Sequence, residues 1–359
     1  MALLPEISVF FRFQAANIIV RSERGNVFLI IRDTNSATIG NRKYKSAKEF
    51  VEDESLYSEA NAAAIKDVLF YHPFIVHVCA IGESAEVGAA LAQIEGIVKN
   101  AWITVAGITA DDSTAIVTWI KAKETLGKTY KAVVYNNAAN CKHVVNLVNT
   151  AVVYEDGRET TTGSSFTPSI AGILAACNIK RGPTNFLCEN LKSVTEPASV
   201  STAVEAGGLV LINDEDNKVR IAEGINSLTT ILSTESEDLK LIEVIEGMDL
   251  IYDDIVNAFR TRFMGQYRNS RGNQYKFISE VLTYFDGLVR VGLLSETVAS
   301  TVDIDVEAQR AAWEAHGIDP WGWSDDEVKD HPYKRKMFLK GEITMLQSIE
   351  SLSFGITLN

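Results

Sequence analysis

The sequence predicts an α/β domain built on a parallel sheet, then an α+β domain, with an extended strand at each end of the chain. Three observations carry that prediction. Between residues 74 and 136, short apolar runs alternate with helices of about fourteen residues. From residue 207, paired strand-like runs give way to long amphipathic helices. At the termini, Ile7, Val9, Phe11 and Phe13, and again Leu352, Phe354, Ile356 and Leu358, alternate with their neighbours in the period of two that marks a half-buried strand.

After the first arm, NVFLII (26–31), bounded by Gly25 and Asp33, reads as a buried strand, and residues 46–69 as helix in two pieces. FIVHVCAIG (74–82), AWITVAG (101–107) and YKAVVYN (130–136) are strands. Residues 86–99 and 111–126 are the helices between them, and residues 169–178 form a further helix. This is a three-layer arrangement. GGLVLIND (207–214) and KVRIAEG (218–224) flank Glu215, Asp216 and Asn217, which predicts a hairpin. Thr234 and Glu237 have the spacing of a capping box, opening a helix whose core stripe is Leu241, Ile245, Met248, Ile251, Ile255 and Phe259. A second helix runs from about Gln274 to Gly292 with Ile278, Val281, Leu282, Phe285 and Leu288 inward. A strand (297–304), an aromatic loop (313–323) and the terminal arm complete the chain.

Composition excludes several classes. A net charge of −13 over 359 residues opposes generic nucleic-acid binding, which needs a basic face. No apolar run approaches the ~20 residues of a membrane span, and the first residues lack a signal peptide's pattern. The chain is therefore expected to be made in the cytoplasm, without inserting into a membrane. Cys79, Cys141, Cys177 and Cys188 form no CxxC and read as buried hydrophobes, so no metal site is expected.

The motifs are equally spare. Gly127, Lys128 and Thr129 resemble the end of a phosphate loop, but Ala122 replaces its first glycine and the triplet leads from helix to strand, so it reads as a turn. There is no GxSxG elbow and no dinucleotide fingerprint after the first strand. His77 reads as a packed strand residue, and the pairs Asp253/Asp254 and Asp325/Asp326 as solubilising charge. Trp313, Trp321 and Trp323 read as an interface anchor. No catalytic residue, cofactor or enzyme is expected from these residues.

Longer stretches carry a resemblance. ALLPEISVFFRFQAANIIVRSERGNVFLIIRD (2–33) resembles the start of contractile tail sheath proteins of phages and of phage-derived particles of Gram-positive bacteria. SIAGILAACNIKRGPTNFLCENL (169–191), GGLVLINDEDNKVRIAEGINSLTT (207–230) and NSRGNQYKFISEVLTYFDGLVRVGLL (269–294) are similar to later segments of that family. The compact length looks most like sheaths of R-type bacteriocins such as diffocin, or of defective prophages. The resemblance implies a first domain called subtilisin-like by fold, without its protease triad. It also implies a homopolymer of six-fold rings around a tail tube, bounded by baseplate and tail terminator proteins, that contracts without ATP. Assembly in a bacterial cytoplasm and release as part of a tail or bacteriocin particle follow.

On that reading the chain divides into an N-terminal arm (1–24), an α/β sheath domain (25–195), an α+β sheath core (196–345) and a C-terminal arm (346–359). Ile7, Val9, Phe11, Phe13, Leu352, Phe354, Ile356 and Leu358 are donated strands. The hairpin of Val210, Ile212, Val219 and Ile221 is the acceptor, and Lys334, Arg335 and Lys336 form a candidate tube-facing surface. The competing readings are an α/β enzyme with an unrecognised ligand site and a secretion-system sheath component.

Overall fold

The computed structural model describes residues 24–177, 179 and 181–354. Ile7, Val9, Phe11, Phe13, Ile356 and Leu358 lie outside them. The strands are β1 (Asn26–Asp33), β2 (Gly40–Tyr44), β3 (Ile75–Gly82), β4 (Trp102–Val105), β5 (Lys131–Tyr135), β6 (Val144–Leu147), β7 (Ala151–Tyr154), β8 (Thr161–Thr162), β9 (Leu191–Val194), β10 (Gly208–Leu209), β11 (Leu211–Asn213), β12 (Val219–Ile221), β13 (Thr301–Ile304) and β14 (Leu339–Glu342). The helices are α1 (Ala47–Val51), α2 (Glu59–Leu69), α3 (Gly88–Leu91), α4 (Ile94–Ile97), α5 (Ala110–Thr125), α6 (Thr167–Cys177), α7 (Val200–Glu205), α8 (Ile242–Ala258), α9 (Arg271–Arg290), α10 (Val306–Glu314) and α11 (Asp325–Asp330).

Contacts divide these residues into two units, 24–253 with 345–354, and 254–344. The sequence reading places its boundary at 195/196. By contacts, residues 196–253 group with the preceding domain, because β10 joins the large sheet beside β6.

That sheet has the order β10-β6-β5-β4-β1-β3-β2, parallel throughout except for β2, which runs antiparallel to β3 at the edge. The apolar run of β1 is buried on both faces, which is why it reads as continuous rather than alternating. Val27, Leu29 and Ile31 join the layer of α2 and α6, whereas Phe28 and Ile30 join that of α3, α4 and α5. Each such side chain contributes ~1.5–3 kcal/mol on burial. Helix α6 comes close to α2 through Gly172: a Cβ there would sit 2.7 Å from the Val68 carbonyl oxygen.

Two helical expectations need correction. Residues 86–99 form two short helices rather than one, since Gly88 and Gly96 weaken helix and neither piece has a side-chain cap. The long helix begins at Ile242, not near Thr234. Ser236, not Thr234, is the capping residue, and it opens only a 3₁₀ turn (Glu237–Lys240). Leu241 is then held extended by its bridge to Ile225, with Ile242 N donating to Gly224 O at 2.9 Å, so helix cannot start earlier.

In the 254–344 unit, Phe277, Ile278, Val281, Phe285 and Leu288 form the buried stripe of α9, and β13 packs against it. β13 and β14 make an antiparallel pair of their own. The expected strand 297–304 is shorter, Thr301–Ile304.

Candidate assembly interfaces

The hairpin forms where the sequence places it. Leu211–Asn213 pairs antiparallel with Val219–Ile221, and Asn217 takes a left-handed φ of 56° in the turn. The Asp214 carboxylate accepts from Arg220 Nε at 2.6 Å and from the amides of Asp216 (2.9 Å) and Lys218 (2.8 Å), which holds its pKa below the usual range. Val210, Val219 and Ile221 are buried and Ile212 is half-buried. Both outer edges of the hairpin are engaged within the chain. Asn185 N donates to Ile221 O, Ile221 N to Phe186 O, and Cys188 N to Val219 O, at 2.9, 3.0 and 2.8 Å. On the other edge the Asn149 side chain brackets the backbone of Leu211 at 2.7 and 2.8 Å. Glu196 Oε1 receives Asn213 N at 2.8 Å. The β13–β14 pair differs: no third strand pairs with either edge among the described residues, and Lys340, Gly341 and Glu342 are exposed.

The C-terminal segment presents apolar side chains to solvent. Leu352 and Phe354 are 87% and 76% exposed, with no strand over 351–354, and Ile349 is 95% exposed. One anchor precedes them: Ser348 N and Oγ donate to the Glu243 carboxylate at 2.8 and 2.5 Å.

Lys334, Arg335 and Lys336 form an exposed turn with Lys334 at φ 44°. The Asn269 side-chain amide bonds the carbonyls of Tyr333 (3.4 Å), Lys334 (3.3 Å) and Lys336 (3.1 Å), fixing the turn. In the aromatic loop, Trp313 Nε1 donates to His331 O at 2.9 Å and Trp323 stacks on His331 with ring centres 4.6 Å apart. Arg310 ties the loop through Pro320 O and Trp323 O, at 2.8 and 2.7 Å. Two tryptophans therefore hold the loop, and only Trp321, 63% exposed, faces outward.

Sequence reasoning missed a buried ionic network in the 24–253 unit. Lys131 Nζ lies 2.8 Å from Asp249 and 3.2 Å from Glu246. His143 sits between Asp249 (3.1 Å) and Glu124 (3.3 Å). Arg24 reaches Asp253 at 2.6 Å, and Thr129 Oγ1 donates to the same carboxylate at 2.7 Å. The adjacent carboxylates are thus not solubilising: Asp253 is in this network, and Asp254 is buried and accepts from Tyr284 at 2.7 Å. The legible signal was Glu246, Asp249 and Asp253 on one stripe of an apolar helix, a pattern that requires buried partners.

Burial would raise the Asp249 pKa, but the Lys131 and His143 charges hold it well below the usual range. The hydrogen bond from His143 lowers Glu124 to about 2. Burial opposes charge on His143, yet the Asp249 and Glu124 bonds outweigh it and raise its pKa. A Lys-Asp-His-Glu cluster invites a catalytic reading. The cavity reaching it, lined by Trp102, Lys131 and Glu246, holds about 10 Å³, space for one water at most. It is a structural tie between α5, the sheet and α8.

The four cysteines are free and buried, and burial pushes Cys79 up to about 11 and Cys141 and Cys177 up to about 12. Among the described residues no group of three acidic, His or Cys side chains could hold a metal ion, and no helix is long and apolar enough to cross a membrane.

Residues 234–359 match the phage tail sheath C-terminal domain family. The chain is 27% identical over 370 residues to the tail sheath protein of Clostridium phage phiCD119, covering 99% of both. It is similar in structure to the anti-feeding prophage helical sheath in its contracted state, with a TM-score of 0.70 at 14% identity, over 98% of this chain and 99% of that one. It is also similar to the contracted PVC sheath complex of an extracellular contractile injection system, with a TM-score of 0.68 at 12% identity, over 100% and 98%. At those identities the structural likeness is one of fold, a mixed α/β sheath fold over the full chain.

Proposed function

We infer that this chain, whose residues 234–359 match the phage tail sheath C-terminal domain family and whose full length is similar to a tail sheath protein, is a structural rather than enzymatic sheath subunit that polymerises through exchanged strands. In this reading the subunits form six-fold rings around a tail tube, between baseplate and terminator proteins, and contract without ATP. The particle is assembled in a bacterial cytoplasm and released as a phage tail or an R-type bacteriocin. The first domain is the one the family calls subtilisin-like, used here only as a scaffold, and the arms are residues 1–24 and 346–359.

The observation that carries the reading is the exposure of Leu352 and Phe354, 87% and 76%, in period-two spacing with no partner strand. A seven-residue arm forms about six main-chain hydrogen bonds when it adds to a sheet edge, each worth ~0.5–1.5 kcal/mol net. Its apolar side chains add ~1.5–3 kcal/mol each. Because Val210, Ile212, Val219 and Ile221 belong to a hairpin whose edges are engaged, an arm there must displace residues 185–188. The open edges of β13–β14 require no displacement, so we place the acceptor there. The division at 195/196 stands as a functional one, with the sheath core on its C-terminal side. Lys334, Arg335 and Lys336 stand as the tube-facing candidates.

Negative-stain microscopy of the purified chain beside a variant lacking residues 346–359 tests this. Tubes or stacked rings are expected from the intact chain only. Small monodisperse particles in both samples would overturn strand exchange.

A further inference from the structure

Two stretches of the 254–344 unit concentrate positive charge in an acidic protein. Residues 255–279 hold Arg260, Arg262, Arg268, Arg271 and Lys276 and no carboxylate, and residues 331–341 hold Lys334, Arg335, Lys336 and Lys340, again with none. The two stretches meet at a pocket of about 210 Å³ lined by Phe259, Phe263, Met264, Arg268, Gln274 and Arg335, among others. One wall is a π-helical turn, Phe259–Phe263, a distortion frequent at functional sites. The volume lies below the ~300–1,000 Å³ of a small-molecule site, so one side chain suits it better than a cofactor. Met264 and Tyr267 at the mouth are 57% and 41% exposed. Gln274 is 1% exposed, and its Oε1 has no hydrogen-bond partner, although its Nε2 donates to Asn269 at 2.8 Å. Arg268 and Arg335 face no carboxylate within ion-pair distance among the described residues. Methionine, arginine and aromatic residues around a small apolar pocket are the composition of an interface anchor point.

We propose that this pocket docks the acidic loop 231–238 of a second copy of the chain, with Leu232 in the pocket and Glu235, Glu237 and Asp238 against the arginines. The argument is charge and shape complementarity within one sequence. Leu232 is 64% exposed, and the three carboxylates that follow it are exposed, Glu237 pairing with Lys240 while Glu235 and Asp238 face no basic residue among the described residues. Pocket and loop are different surfaces, so their pairing is head-to-tail and extends into a ring or a helical polymer instead of closing a two-fold dimer. The proposal rests on the sheath reading and assigns Arg335 to a neighbouring subunit, leaving Lys334 and Lys336 for the tube.

The test uses the full chain, with Leu232→Cys and Met264→Cys made separately and mixed under mild oxidation. Both positions are exposed, so folding is retained and checked by circular dichroism. The native thiols are buried and stay silent. A disulfide-linked dimer is expected in the mixture and in neither variant alone. Arg268→Glu with Arg335→Glu in the Met264→Cys partner should lower the yield at least fivefold. Glu235→Arg with Glu237→Arg in the other partner should restore it. No cross-link, or a yield indifferent to the charge reversals, overturns the proposal. Microscopy of the same samples separates the two readings: tubes without cross-link sink this docking and leave the sheath assignment standing. A cross-link without tubes supports the docking and counts against ring assembly.

Discussion

At the scale of single residues, His143 is where charge and burial are balanced most closely. Its imidazole is 4% exposed between Asp249 and Glu124, with Lys131 on the far side of Asp249. Because its folded pKa is raised above 6.5, its stabilising contribution is complete below that value and is lost as pH rises through the folded pKa. Asp249, depressed from 3.8, contributes above that value and loses its contribution as pH falls through the folded pKa. His143→Gln leaves buried carboxylates short of a partner and should cost on the order of 3 kcal/mol at pH 6. Urea unfolding at pH 6 and pH 9 checks it: the gap between native chain and variant should narrow at pH 9. The acidic stripe Glu246, Asp249 and Asp253 was the only part of this site legible in the sequence. Its partners come from α5, β5, α8 and the turn before β6, and only their convergence makes them a network.

At the scale of elements, apolar patterning was legible wherever an element buries a continuous stripe. β1, β3, β4, β5, α5 and α9 lie where continuous apolar runs and helical spacing put them, within a few residues. The polar edge strand β2 and the short β6 to β9 escaped, because their partners, not their own patterns, make them strands. Gly172 is the corresponding point in helix packing. Its missing side chain lets α6 approach α2, and Gly172→Val should destabilise the 24–253 unit by about 2–4 kcal/mol through overpacking against the Val68 carbonyl. Thermal unfolding reads this as a fall of several degrees. A Tm within a degree of the native chain would mean that the helices move apart freely. The hairpin shows the limit of pattern. Its strands and acidic turn were readable, but the engagement of its edges by residues 149 and 185–188 was not, since those bonds join segments far apart in sequence.

At the scale of the whole molecule, assembly depends on surfaces left uncovered. Leu352→Glu with Phe354→Glu should abolish tubes while leaving Tm unchanged within about a degree, because neither side chain is buried in the isolated chain. Differential scanning calorimetry and microscopy of one sample separate the two effects. A large fall in Tm would make the segment part of the subunit's own core instead. The amino-acid sequence alone determined the parallel-sheet strands between residues 26 and 135, the buried free cysteines and the resemblance to sheath proteins, since each follows from local periodicity, composition or contiguous similarity. Only the tertiary structure decided which edges are open, which carboxylates are buried and where the arginines gather. Those properties depend on which distant segments occupy the neighbouring space, and no local pattern encodes that.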